Sequence, residues 1–288
     1  MFDDEYGNKL STNSREAVDL YNKGTHQFLG AEPGVENNFR AATDADPEFA
    51  LAHIGYAREM QLRGRSADMR QALKTAIKYA GNLSEREQSH LNVSSLLLRG
   101  KSTEARLAVY EHVRHWPRDV LIAQMCTSVF GLIGFSGLPG REAEQLSFIS
   151  NLANHYDESW WYKAQLAFAQ LEVGQLNEAA TNIEEALLLN PDSAHSKHIR
   201  AHLYYENLED EGGLDYLKTH WENYDPSGAL YNHISWHVGL WSLECGNLKQ
   251  VWHILDHHIS PNISQGPPLN VLTDSAALLF RAEIAGVE

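Results

Sequence analysis

Apolar and small side chains recur along this chain at helical spacing, in units of about 34 residues. The clearest unit spans residues 160–193, and its markers are small residues, a turn glycine and a closing proline: Ala167, Gly174, Ala179, Ala186 and Pro191. Small side chains let two antiparallel helices approach closely. A glycine ends the first helix because it adopts a left-handed conformation cheaply, and a proline stops the second. The pattern predicts a pair of helices.

The same frame repeats from one end of the chain to the other. Five glycines mark it, at gaps of 36, 34, 40 and 72 residues: Gly64, Gly100, Gly134, Gly174 and Gly246. Ser84 and Glu87, three residues apart, predict a capping box at the start of one first helix. No stretch alternates at period two over the length of a strand. We therefore predict an all-α fold, a tetratricopeptide-repeat-like right-handed helical solenoid of about six helix pairs.

Three segments are expected: an N-terminal extension over residues 1–14, the repeat array over 15–264, and a linker with an apolar helix over 265–288. We call the series of five glycines the glycine ladder. It is interrupted near residue 210, where the expected position holds no glycine. The last helix is too apolar for the solvent-facing cap that repeat arrays require. It either folds back on the array, is covered by another chain, or precedes further sequence, and we favour the last two.

Composition narrows the classes of partner. Lys and Arg total 23 against 38 Asp and Glu, for a net charge of -15, so the chain lacks the basic footprint that nucleic acids and anionic membranes require. Two cysteines imply no disulfide framework. The N-terminus does not read as a signal peptide, and no apolar run of about 18 residues exists. We expect a cytoplasmic protein with no nucleic-acid or membrane partner.

Histidine is concentrated in the C-terminal third, where nine of the fifteen histidines follow residue 194. His198 and His202 are four residues apart, as are His233 and His237, so each pair shares one face of a helix. In the repeat frame both pairs belong to first helices of neighbouring units, which line the concave side. The spacing permits all four imidazoles to converge in one groove.

Three interpretations of this convergence stay open. The histidines stabilise helix packing; or they line a ligand pocket; or they bind Zn²⁺ or a similar divalent metal ion through His198, His202, His233 and His237. For the pocket, Trp161, Tyr205 and Trp236 join the four histidines as candidate ligand-binding residues, Trp161 because its position in the frame faces the groove. No His-Glu-x-x-His motif is present, so the pattern of the metalloproteases is excluded.

Several segments carry a family resemblance: residues 7–12, 42–53, 83–90, 190–202 and 232–237. In their order and spacing the chain resembles the tetratricopeptide-repeat protein 38 family, in a bacterial-type form that is short at the C-terminus. The resemblance implies the repeat fold and the retention of His198, His202, His233, Trp236 and His237. Relatives usually carry Glu at the position of Tyr205, whereas here Glu206 follows one place later. This departure weakens any acid/base or metal role taken over from the family.

The sequence thus favours a binding or scaffolding protein whose groove holds a peptide or small polar ligand. The alternative is an enzyme that uses the same histidines, with His202 and His237 as the candidate catalytic residues, for acid/base or metal-assisted chemistry. The apolar C-terminal helix predicts self-association as a homodimer.

Overall fold

The computed structural model describes residues 2–156 and 158–287, and within them the fold is all-α apart from one short hairpin. The hairpin pairs β1 (Phe2–Asp3) with β2 (Lys9–Leu10) in antiparallel register. The helices are α1 (Arg15–Gly30), α2 (Val35–Ala45), α3 (Ala50–Leu62), α4 (Ser66–Lys78), α5 (Glu85–Leu98), α6 (Ser102–His115), α7 (Val120–Ala123), α8 (Arg141–Ser150), α9 (Trp160–Glu172), α10 (Leu176–Leu189), α11 (Ala194–Glu206), α12 (Asp210–Trp221), α13 (Tyr231–Glu244), α14 (Leu248–Ile254) and α15 (Pro268–Ile284). The expectation of an all-α chain is confirmed.

The chain divides into two compact units. The first comprises Met1–Leu29 with Gly34–Leu189, and the second comprises Gly30–Pro33 with Asn190–Glu288. Within the first unit, helices adjacent in sequence pack as pairs, most extensively α3 with α4 and α9 with α10. The N-terminal hairpin belongs to this unit, since Leu10 is fully buried and Arg86 on α5 donates to the carbonyl of Lys9.

The second unit is a run of four consecutive helices with a fifth laid against them. α11 packs on α12, α12 on α13, and α13 on α14, which continues as a π-helical turn over Leu255–Ile259. Close approach depends on Gly213, because a Cβ there would lie 2.6 Å from the Trp241 ring and 3.0 Å from the Cβ of Tyr204. α12 can therefore contact α11 and α13 at once.

The C-terminal helix folds back along α13, contrary to the outcome that we favoured from the sequence. Leu278 on α15 packs against Gly239 of α13, and Ser275 donates to the carbonyl of Ile259. The opposite side of α15 carries exposed apolar residues: Leu269, Leu272, Leu279, Phe280 and Ile284. Across the described residues, no helix combines the length and apolarity needed to cross a bilayer.

Most of the glycine ladder marks one recurrent turn. Gly64, Gly100, Gly174 and Gly246 all have φ between 70° and 77° and stand two residues after the end of a helix. At Gly174 the glycine N–H donates to the carbonyl of Leu171, and the next N–H donates to that of Gln170. This Schellman arrangement satisfies the last carbonyls of the first helix. The predicted capping box at Ser84 and Glu87 is also present.

Gly134 does not belong to this series. It lies in a 3-10 turn, and a Cβ there would fall 2.1 Å from the carbonyl oxygen of Val129. Glycine is required at this position by a close backbone approach. The prediction that Gly134 marks the same turn as the other four glycines is therefore wrong.

The missing glycine near residue 210 is replaced by Leu208. This residue adopts φ 59°, and the same two hydrogen bonds run from Leu208 to Tyr205 and from Glu209 to Tyr204. Its side chain is 84% exposed. The turn has the same geometry here, although a leucine in the left-handed conformation carries backbone strain that a glycine would not.

We expect Leu208→Gly to raise the free energy of unfolding by up to about 1 kcal/mol, because relief of the left-handed strain exceeds the added entropy of the unfolded chain. The reciprocal change, Gly174→Leu, should lower it by about 1 to 2 kcal/mol, since open space surrounds Gly174 and only backbone strain is added. Urea unfolding of the two variants tests this, and equal effects of one sign would contradict it.

Candidate functional site

Four histidines from two helices of the second unit converge on one point. α11 begins after Ser193, whose hydroxyl accepts the N–H of Ser196, and it presents His198 and His202 one turn apart. α13 presents His233 and His237 in the same way. One nitrogen from each ring lies within 4.8 Å of the corresponding nitrogen of every other ring. We call these four residues the histidine cluster.

His198 lies at the centre of the closest contacts. Its Nε2 is 2.9 Å from Nε2 of His202 and 3.0 Å from Nε2 of His237. The His233 ring lies 4.8 Å, centroid to centroid, from both His198 and His237. Three Nε2 atoms thus crowd together, with the fourth ring beside them.

Hydrogen bonding alone does not account for this crowding. A neutral imidazole has one N–H and one lone pair, so Nε2 of His198 can either donate or accept, and it faces two nitrogens at once. At least one of the two short contacts is therefore not an ordinary hydrogen bond. A cation between the rings would give every Nε2 lone pair the same partner.

Asp274 fixes the orientation of His233. Nδ1 of His233 lies 3.1 Å from one oxygen of the buried Asp274 carboxylate, and Asn232 donates to the other oxygen at 2.8 Å. Because a carboxylate only accepts, Nδ1 of His233 carries a proton, and in the neutral form of the ring Nε2 is the nitrogen with the free lone pair. A carboxylate behind a histidine is the arrangement that orients metal-binding imidazoles in proteins.

Three of the four imidazoles, those of His198, His202 and His237, are held neutral. Burial lowers the pKa of His202 to about 3, with His233 and His195 adding to the effect. Burial, together with the neighbouring histidines, also holds the pKa values of His198 and His237 well below the usual range. Neutral imidazole is the form that binds metal ions.

The distances suit a tetrahedral ion of the zinc class. Four nitrogens at about 2.0 to 2.1 Å from a Zn²⁺ ion are about 3.4 Å from one another. The closest pairs in the cluster lie just below this separation and the others within 4.8 Å. Binding of one ion by all four nitrogens would require the more distant pairs, at up to 4.8 Å, to move closer together.

Two further sequence candidates lie near the cluster and one does not. Trp236 stacks on His233, with centroids 5.1 Å apart and planes at 19°. Tyr205 follows His202 on α11 and is 44% exposed. Trp161 is fully buried in the core of the first unit, where its indole N–H donates to Gln124. A fully buried indole cannot line a groove, so the groove-facing assignment of Trp161 is wrong.

Asp274 and Asn232 are the site residues that sequence reasoning missed. Asn232 directly precedes His233, but Asp274 is 41 residues further along and bears no relation to the repeat frame. The available signal was a single charged residue within the largely apolar segment 271–280. Such a residue is expected to have a buried partner.

A second histidine pair, in the first unit, has a structural explanation. Asp119 contacts Nδ1 of His90 at 3.0 Å, Nε2 of His112 at 3.2 Å and the guanidinium of Arg86. Burial raises the pKa of Asp119, but His90, His112 and Arg86 outweigh it and hold that pKa well below its usual range. Here a carboxylate lies between two imidazoles and a guanidinium and balances the charge of the guanidinium, so this network needs no further ion.

No family model matches the chain.

Proposed function

We propose that this protein binds one divalent transition-metal ion of the zinc class through the Nε2 atoms of His198, His202, His233 and His237. The observation that carries the proposal is the convergence of four nitrogen ligands within 4.8 Å of one another. Imidazole nitrogens suit Zn, Cu, Ni and Fe ions, whereas Mg²⁺ and Ca²⁺ prefer oxygen ligands. The carboxylate of Asp274 behind His233 supports the same assignment.

Isothermal titration of chelator-treated protein with Zn²⁺ tests the proposal. We expect one ion per chain, and loss of that site in His198→Ala/His237→Ala, which removes a ligand from each helix. His253→Ala is the matched control, because His253 is an exposed histidine of the same unit outside the cluster. His202→Ala, at the least buried of the four positions, repeats the test should the double variant not fold. Binding that survives in both cluster variants would refute the proposal.

Asp274→Asn is expected to weaken Zn²⁺ binding about 10- to 100-fold while leaving one site per chain, because the charge that orients His233 is lost. Competition with a chromophoric chelator measures the change. Asp225→Asn, an exposed carboxylate in the same unit, should have no effect. Unchanged affinity in Asp274→Asn would show that the carboxylate does not support the metal ion.

We also infer that the helix pairs are tetratricopeptide-like. The support is the shared turn at Gly64, Gly100, Gly174, Leu208 and Gly246, which recurs with one set of hydrogen bonds. A right-handed solenoid of about six pairs, a scaffolding role with a peptide or small polar ligand, and a homodimer through α15 stay predictions.

A further inference from the structure

We infer that the metal ion of the proposed function takes up an external small monoanion of the carboxylate class as a fifth ligand, bound beside Trp236. This inference rests on the proposed metal site and concerns what that site takes up. Uptake of such a ligand would distinguish a centre that binds a substrate or effector from a closed structural centre, in which four protein ligands complete the coordination.

The first support is the charge of the site. The four ligands are imidazoles, and no carboxylate belongs to the cluster among the described residues. A divalent ion would therefore bring two positive charges, of which Asp274 balances one. An uncompensated buried charge is costly. Arg281 adds a further positive charge that acts on His237, so an external anion would reduce an excess of positive charge at the site.

The second support is solvent access. His198, His233 and His237 are 7%, 9% and 8% exposed, and His202 is less buried than these. The histidines of the Asp119 network, His90 and His112, are each 1% exposed. Part of the cluster therefore reaches solvent, as a centre that exchanges a ligand requires, while the closed ion-pair network does not.

The third support is a hydrogen-bond donor without an acceptor. The indole N–H of Trp236 is buried and has no hydrogen-bond partner within the described residues. Its ring lies 4.8 Å from His237 and 5.1 Å from His233, centroid to centroid. A buried unsatisfied donor is unfavourable, and a carboxylate oxygen on the metal ion would accept from it.

Cobalt spectroscopy tests the inference. Co²⁺ replaces Zn²⁺ in the chelator-treated protein, and the visible ligand-field bands are followed as sodium acetate is added at constant ionic strength. We expect saturable loss of the intense four-coordinate bands as the coordination number rises. Trp236→Phe should raise the acetate Kd about tenfold, as expected for one lost hydrogen bond to a charged group. Trp252→Phe, a tryptophan of the same unit outside the cluster, should leave it unchanged.

The possible outcomes separate this inference from the metal site itself. Cobalt bands that do not respond to acetate or azide would overturn the inference and leave a closed metal site. A response to azide or chloride without one to acetate would overturn the carboxylate assignment. Absence of cobalt binding would refute the metal site on which the inference rests. If Trp236→Phe does not fold, the acetate titration of the unaltered protein still decides.

Discussion

Zn²⁺ is expected to raise the free energy of unfolding of the chelator-treated protein by about 3 to 4 kcal/mol when the free ion exceeds its Kd by two to three orders of magnitude. The folded chain brings four nitrogen ligands together, whereas the unfolded chain does not, so the ion binds the folded state preferentially. His198 and His202 come from α11, and His233 and His237 from α13, so the ion crosslinks helices that are not neighbours in sequence.

Thermal unfolding with and without Zn²⁺ measures this effect. The double variant His198→Ala/His237→Ala should show no zinc-dependent shift, while His253→Ala should match the unaltered protein. Mg²⁺ at the same concentration is the ionic control and should leave the transition in place. A zinc shift of equal size in the double variant would mean that the ion binds elsewhere.

Acidification of the metal-free protein from about pH 7 to pH 4 is expected to remove most of its stability. Burial lowers the pKa of His195 to about 4 and that of His202 to about 3, and it holds the pKa values of His198 and His237 well below their usual range. In the unfolded chain a histidine titrates near 6.5. Below that pH the unfolded state binds more protons than the folded state, so stability falls as pH falls.

Each such histidine contributes a slope of about 1.4 kcal/mol per pH unit between the two pKa values. Four together give roughly 5 kcal/mol per unit, which rivals the whole stability of an ordinary domain. Urea unfolding across this range measures the slope, and His202→Leu should make it shallower by about one quarter. A stability that is flat down to about pH 5 would show that these imidazoles are not buried as described.

The helix-ending turns and the helix cap could be predicted from the sequence because they depend on residues that are close together in the chain. A glycine two residues past a helix end and a Ser-x-x-Glu capping box each act within one turn of the chain. The structure accordingly has both, at Gly174 and Ser84. The role of Gly134 was wrongly predicted because glycine can also serve close packing, and the turn at Leu208 was not predicted because a turn can tolerate strain. Residue type alone does not separate these cases.

The candidate site was accessible only in part, for a similar reason. Spacing of four places two histidines on one helix face, and the structure has each pair on a single helix, α11 and α13. Asp274 could not be assigned because its role depends on how α15 folds back on α13, which no local pattern encodes. Trp161 was misplaced because a frame position does not say which side of a helix the tertiary packing covers.

X-ray absorption at the zinc edge of the zinc-loaded protein would identify the ligands of the ion. We expect one ion per chain with a first shell dominated by four imidazole nitrogens at about 2.0 to 2.1 Å, and the outer-shell scattering of their rings. A first shell without imidazole scattering, or one that contains sulfur from a cysteine, would contradict it.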